Sequence, residues 1–169
     1  MSTNNLTTTA YYDRSIESIN GLFTVKTVNK LSGLVVREFA RLPSSSGQRG
    51  YEKISFKRGK APIPFSNELT KPYKLWIDKP LQEREWAGAR GIGAFYAIST
   101  ENDRITTKNK YGEIRENLGW HPNNLIAGSA GCVVVEADTE ERRKQIIAIW
   151  DYFDKLAETG ITNIPLIVL

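Results

Sequence analysis

The chain has 169 residues, 40% hydrophobic and 25% charged, the make-up of one ordinary globular domain with a sizeable core. Its 23 Lys and Arg against 19 Asp and Glu leave a formal charge of +4, spread along the sequence with no basic block, so nucleic acid is not an expected partner. One Cys and one His exclude an internal disulfide and fall short of the four ligands of a structural zinc site, and neither a metal nor another cofactor is expected.

The first ten residues lack the positive start and apolar stretch of a secretory signal. The expectation is a protein made in the cytoplasm without a classical signal peptide. No segment offers the ~18 consecutive apolar residues of a bilayer-crossing helix, so no membrane span is expected. Residues 1–15 are polar and rich in Thr and Asn, and read as a flexible N-terminal arm ahead of a single domain over 16–169. From Leu22 the pattern changes to short apolar stretches, Leu22 to Val28 and Leu34 to Phe39, with Asn29 to Gly33 as the hairpin connection. Ser44 to Gly50 is the most loop-like stretch of the chain. Further strands are predicted at Lys53 to Phe56, Tyr73 to Ile77, Gly93 to Ile98 and Cys132 to Glu136.

One segment, about 139–159, reads as a helix. Asp138 or Thr139 caps it, with Glu141 placed to complete a box from Asp138. Ile146, Ile149, Trp150, Phe153 and Leu156 form its apolar stripe, and Gly160 stops it. Ile164 to Leu169 then reads as a last buried strand, in which Pro165 argues for an edge position or the strand's first turn. Many short strands with one late amphipathic helix predict a mainly β sandwich or barrel.

The chemistry-bearing residues lie in the run Trp120-His121-Pro122-Asn123-Asn124-Leu125-Ile126-Ala127-Gly128-Ser129-Ala130-Gly131-Cys132. A thiol is a strong nucleophile only as thiolate, and an imidazole within hydrogen-bond reach is the simplest way to make one near neutral pH. Gly131 lets the backbone turn sharply before the thiol, and Gly128 to Gly131 keeps the surrounding side chains small. In acyl transfer Cys132 attacks an amide carbonyl, His121 moves the proton, and backbone amides around Ala130 to Cys132 stabilise the oxyanion. Asn123, Asn124, Ser129 or a backbone carbonyl is left to orient the imidazole. The alternative for the same residues is structural: a lone Cys opening a Val-rich strand is commonly a small core hydrophobe.

Trp150 belongs to the helix stripe, Trp120 either walls a cleft or packs beneath it, and Trp86 either contacts ligand or packs. The carboxylates of Asp78, Glu83, Glu85, Asp103, Glu113 and Glu116 show no spacing that marks a glycosidase pair. Gly88 to Gly93 lacks the Lys-Ser/Thr ending and following helix of a phosphate-binding loop.

The run from His121 to Cys132, ending Ser129-Ala130-Gly131-Cys132-Val133, resembles the signature of the L,D-transpeptidase (YkuD-like) superfamily, in which a His precedes a Ser/Thr-x-Gly-Cys element. Its short His-to-Cys interval is similar to the compact phage- or effector-associated branch. Gly59 to Pro64 and Gly91 to Phe95 resemble that family's turns, and the likeness covers about residues 50–136. It implies a β-rich transpeptidase-type fold, Cys132 as nucleophile, His121 as base and Gly131 in the oxyanion turn; beside these, Ser129 is a further catalytic candidate, and Trp120, Asn123, Asn124 and Arg90 are the substrate-binding candidates. It implies peptidoglycan stem peptides as substrate, a thioester on Cys132, and resolution by an amine (transfer or exchange) or by water (carboxypeptidase). The place of action is then the periplasm or cell wall, reached by lysis or by a secretion or injection apparatus. The chain departs from the family in having Ala130 where many members carry a second His, Val133 and Val134 where an Arg follows the Cys, and Pro122 where a Gly follows the His. Arg90, Arg104 and Arg115 are the candidates for the missing cation, each by default a solvated surface residue. These departures motivate the alternative of an inactive structural or binding component of a phage tail or injection particle.

Overall fold

The computed structural model describes residues 5–14, 19–48, 61–80, 94–123 and 131–169. Among the described residues the fold is mainly β, 47% strand, with an eight-strand closed barrel and one α-helix. The strands are β1 (Leu6–Arg14), β2 (Asn20–Asn29), β3 (Val35–Glu38), β4 (Leu42–Ser46), β5 (Tyr73–Trp76), β6 (Tyr96–Ser99), β7 (Thr106–Lys108), β8 (Ile114–Glu116), β9 (Leu118–Asn123), β10 (Val133–Glu136) and β11 (Asn163–Val168). The helix α1 spans Glu140–Glu158. Around the barrel the order is β1-β11-β5-β6-β9-β10-β4-β2, and β2 returns to β1 to close it. β3 is an outer strand on β2, and β7 and β8 form a separate two-stranded sheet. Closure leaves these eight strands without exposed sheet edges.

Alternation along the strands fills the interior: Ala10 and Tyr12, Phe23 and Val25, Leu75, Tyr96 and Ile98, Leu118 and Trp120, Val133 and Val135, and Leu166 and Val168 join one buried core. The helix closes one end of it. Its stripe of Ile146, Ile149, Trp150 and Phe153 is buried, and Phe153 meets Tyr96 and Trp120 edge-on at 5.3 and 5.8 Å between centroids. Tyr152 of the same helix bonds Thr27 Oγ1 of β2. Thr139 is the cap, accepting from the Arg142 amide at 3.2 Å, while Asp138 accepts from the Arg142 guanidinium instead. The other end is sealed by residues 61–65. Ile63 is fully buried in the core, and its carbonyl and that of Pro64 accept from Arg14 and the Tyr73 hydroxyl.

Several expectations are corrected. The arm over 1–15 is, from Leu6 to Arg14, strand β1, paired to β2 through Leu6↔Asn29 to Arg14↔Gly21 and to β11 in parallel. Its threonines are β-branched and fit a strand, and Thr8, Ala10 and Tyr12 turn inward with little apolar signal to announce them. The loop expected from Ser44 is strand β4 up to Ser46, held between β10 and β2 with Ser44, Ser45 and Ser46 buried. β11 is an interior strand of the barrel; at Pro165 the register runs to Lys74 of β5, and pairing with β1 begins at Leu166. Strands β7, β8 and β9 had no strand assigned to them in the sequence. The strand expected at Lys53 to Phe56 lies outside the described residues.

Candidate functional site at the mouth of strands β9 and β10

β9 and β10 run parallel, with Trp120 opposite Val133 and His121 opposite Val134. Trp120, Val133 and Val135 face the core. Period-two alternation therefore sends His121 and Cys132 to the opposite, outer face of the barrel wall. Extending the register one residue before Val133 sets Cys132 beside Gly119, so imidazole and thiol share a face but stand diagonally, a separation of about 7–8 Å between backbone positions. The Phe95 ring lies over Gly119 on this face, next to the imidazole.

The thiol is held at the barrel end that residues 61–65 seal. Gly131 precedes it with φ +98°, a conformation that side-chain-bearing residues rarely adopt. Its carbonyl accepts from Ser46 Oγ at 3.0 Å, and the same hydroxyl accepts from the Ile63 amide at 2.8 Å. One serine of β4 thus ties the turn before Cys132 to the segment that closes the barrel. Cys132 is 9% exposed, and its Sγ lies 3.9 Å from the Asn117 carbonyl, where Asn117 itself is left-handed at φ +58°.

Among the described residues, Arg115 of β8 is the cation at this site. It is 6% exposed, and its Nη1 donates to the Ala61 and Pro62 carbonyls at 3.0 and 3.1 Å. Its guanidinium lies against Gly131, where a Cβ would fall 2.7 Å from Arg115 Cζ. Of the arginines weighed as replacements for the missing cation, Arg115 is thus no solvated surface residue. Arg104 is engaged elsewhere, paired with Asp78 at 2.8 Å and lying over the Trp76 ring. Arg90 lies outside the described residues.

Burial pushes the Cys132 thiol above its ordinary pKa, opposed by the Gly119 amide, the Arg115 charge and the amide of Cys132 itself. Burial depresses His121, opposed by a hydrogen bond to the Pro122 carbonyl. That bond, 3.1 Å from Nδ1, also settles the tautomer. A carbonyl only accepts, so Nδ1 carries the proton and Nε2 keeps the lone pair a base needs. Among the described residues the Pro122 carbonyl is the group bonded to the imidazole, and Phe95 stacks on the ring at 5.4 Å and 21°.

Trp120, expected toward substrate, is corrected: it is fully buried in the barrel interior, stacked on Phe23 at 5.0 Å, because its position on β9 points inward while His121 points out. Asn123 is the last residue of β9, opposite Glu136. Asn124, Ser129 and Trp86 lie outside the described residues. Sequence reasoning missed Ser46 and Asn117 and misread Arg115. Ser46 sat in an apparent loop. Arg115 lies between exposed Ile114 and Glu116, the reverse of the usual pattern for a buried strand position. A cavity of about 320 Å³ lies apart from this site, lined by Thr100, Lys71 and Lys108, where Glu101 bonds Lys71 at 3.0 Å and lies 3.6 Å from Lys108.

Compared with protein-family models, curated proteins and solved structures, the chain matches none.

Proposed function

We propose that the chain is a cysteine-dependent acyl-transfer enzyme with Cys132 as nucleophile. The observation that carries this reading is the arrangement around the one thiol: a buried guanidinium, a backbone amide aimed at sulfur, and a neutral imidazole on the same outer face. When a substrate amide covers the site, the thiol proton passes toward His121 Nε2 and the sulfur attacks the carbonyl carbon. The tetrahedral oxyanion collapses to a thioester as the C–N bond breaks and the amine leaves with a proton from the imidazolium. Water or a second amine then attacks the thioester, releasing acid or new amide and returning the proton to sulfur. Arg115 stabilises negative charge on sulfur and stands in for the cation absent from Val133 and Val134.

For substrate, the likeness of the His121 to Cys132 run to L,D-transpeptidases favours peptidoglycan stem peptides, cleaved or exchanged at the bond to a terminal D-amino acid. The site of action is then the periplasm or cell wall, after lysis or delivery by an injection or secretion apparatus. The test is incubation of purified muropeptides with the folded protein and with Cys132→Ala, read by mass spectrometry. Loss or exchange of the terminal D-amino acid by the parent alone supports the reading; unchanged muropeptides with folded parent overturn it.

A second reading, an inactive component of a phage tail or contractile injection particle, is favoured by one observation: burial raises the thiol pKa, so the resting sulfur is protonated at neutral pH. A thiol that stays inert toward iodoacetamide, and forms no covalent adduct with an acyl-donor peptide, selects it.

A further inference from the structure

The β2–β3 hairpin reaches beyond the closed barrel: β4 pairs with β2 only over Asn20 to Phe23, and β3 takes the same side of β2 from Lys26 to Val28. At and beside its tip Leu31, Leu34, Val35 and Val36 are 81, 69, 53 and 52% exposed. A contiguous apolar surface of this kind on a barrel protein marks an interaction site.

The tip is built to hold these side chains outward. Asn29 Oδ1 accepts from the Leu31 and Ser32 amides at 2.9 and 3.2 Å, and the Asn29 amide donates to the Leu34 carbonyl at 2.9 Å. Gly33, at φ +72°, donates to the Asn29 carbonyl at 2.8 Å, and Lys30 is tied to Asn5 of the chain's first strand region at 2.7 Å. A turn bonded in this way does not fold its leucines back onto the barrel.

The shape of the surface selects the occupant. A register shift between Thr27 and Val28 bulges the hairpin, which blunts β3 as a template for another strand. Val35 and Val36 are neighbours in sequence and both exposed, so the apolar surface wraps around the hairpin, a convex wedge that a fluid interface surrounds better than one flat protein face. The charges beside it are Lys30 and Arg37, both exposed, with Arg37 lying over the Phe39 and Tyr152 rings. Glu38 is already paired with Lys26 at 3.5 Å, leaving Lys30 and Arg37 as a net positive charge beside the tip. We propose that the β2–β3 hairpin is a membrane-docking wedge, inserting Leu31, Leu34, Val35 and Val36 at the surface of an anionic bilayer while Lys30 and Arg37 meet the headgroups.

This docking is separate from the thiol chemistry, so Cys132→Ala leaves it unchanged. The test is co-sedimentation of the full chain with vesicles of phosphatidylcholine plus phosphatidylglycerol, and with phosphatidylcholine alone, at low and high salt. The parent is expected to sediment with the anionic vesicles and to be released by salt. The double variant Leu31→Ser/Leu34→Ser, substituted at exposed positions and checked for native thermal unfolding, is expected to partition at least about tenfold more weakly, and Lys30→Glu several-fold more weakly. Failure of the parent to sediment, undiminished binding by the double variant, or equal binding to neutral vesicles overturns the proposal. So does a concentration-dependent dimer in light scattering that the double variant abolishes, which would make a second copy the occupant.

Discussion

Replacing Gly131 with alanine tests whether the turn before Cys132 is built around Arg115. At φ +98° an added Cβ brings backbone strain of about 1–2 kcal/mol. It also falls 2.7 Å from Arg115 Cζ and 3.1 Å from the Ala61 carbonyl, in a place with little room to yield because Arg115 is anchored to two backbone carbonyls. Overpacking of that kind costs about 1–3 kcal/mol. Together the variant loses roughly 2–5 kcal/mol from a total stability on the order of 5–15. At about 2–4 °C per kcal/mol for a chain of this size, Tm falls by roughly 4–20 °C, read by circular dichroism or calorimetry. A cycle with Arg115→Ala separates the two causes. Removing the guanidinium relieves the clash but not the strain, so the double variant should be more stable than the sum of the singles by roughly 1–3 kcal/mol. A Gly131→Ala protein melting within about 2 °C of the parent, or a cycle additive to about 0.5 kcal/mol, would refute the packing of Arg115 against Gly131.

Phe153→Ala removes the ring wedged between Tyr96 and Trp120 at the helix-closed end, and should cost about 3–5 kcal/mol in urea unfolding, since the barrel wall cannot collapse into the space. Thr139→Ala loses the hydroxyl that caps α1 and should cost about 1 kcal/mol, while Asp138→Ala, which leaves that cap intact, should cost less. Stability should form a plateau between the ordinary pKa values of the two site residues, 6.5 for imidazole and 9.0 for thiol. Below 6.5 the unfolded chain binds a proton that folded His121 resists, so stability falls with falling pH; above 9.0 the unfolded thiol ionises while the folded one resists, so stability falls with rising pH. In urea titrations His121→Gln should flatten the acid flank and Cys132→Ser the alkaline one. Arg115→Met withdraws a charge that favours thiolate, and should move the alkaline midpoint of iodoacetamide labelling in the folded protein further upward.

Length, composition and periodicity by themselves determined a mainly β chain with one helix, because an apolar stripe at helical spacing, a capping residue at Asp138 or Thr139 and a stopping Gly act within a single segment. They also marked His121 and Cys132 as the place to look, since a chain with one thiol and one imidazole has few options. What they could not reach depends on residues far apart in the chain. Leu6 to Arg14 and Ser44 to Ser46 become strands because neighbours from β2, β11 and β10 satisfy their backbones, a benefit that local polarity does not display. Closure into a barrel decided that Trp120 is interior packing while His121 one residue later faces outward. Only the folded chain brings Arg115, Ser46 and residues 61–62 against Gly131 and Cys132, and buries a charge where backbone carbonyls compensate it. The electrostatics of the thiol are therefore a property of long-range packing, and no local spacing encodes them.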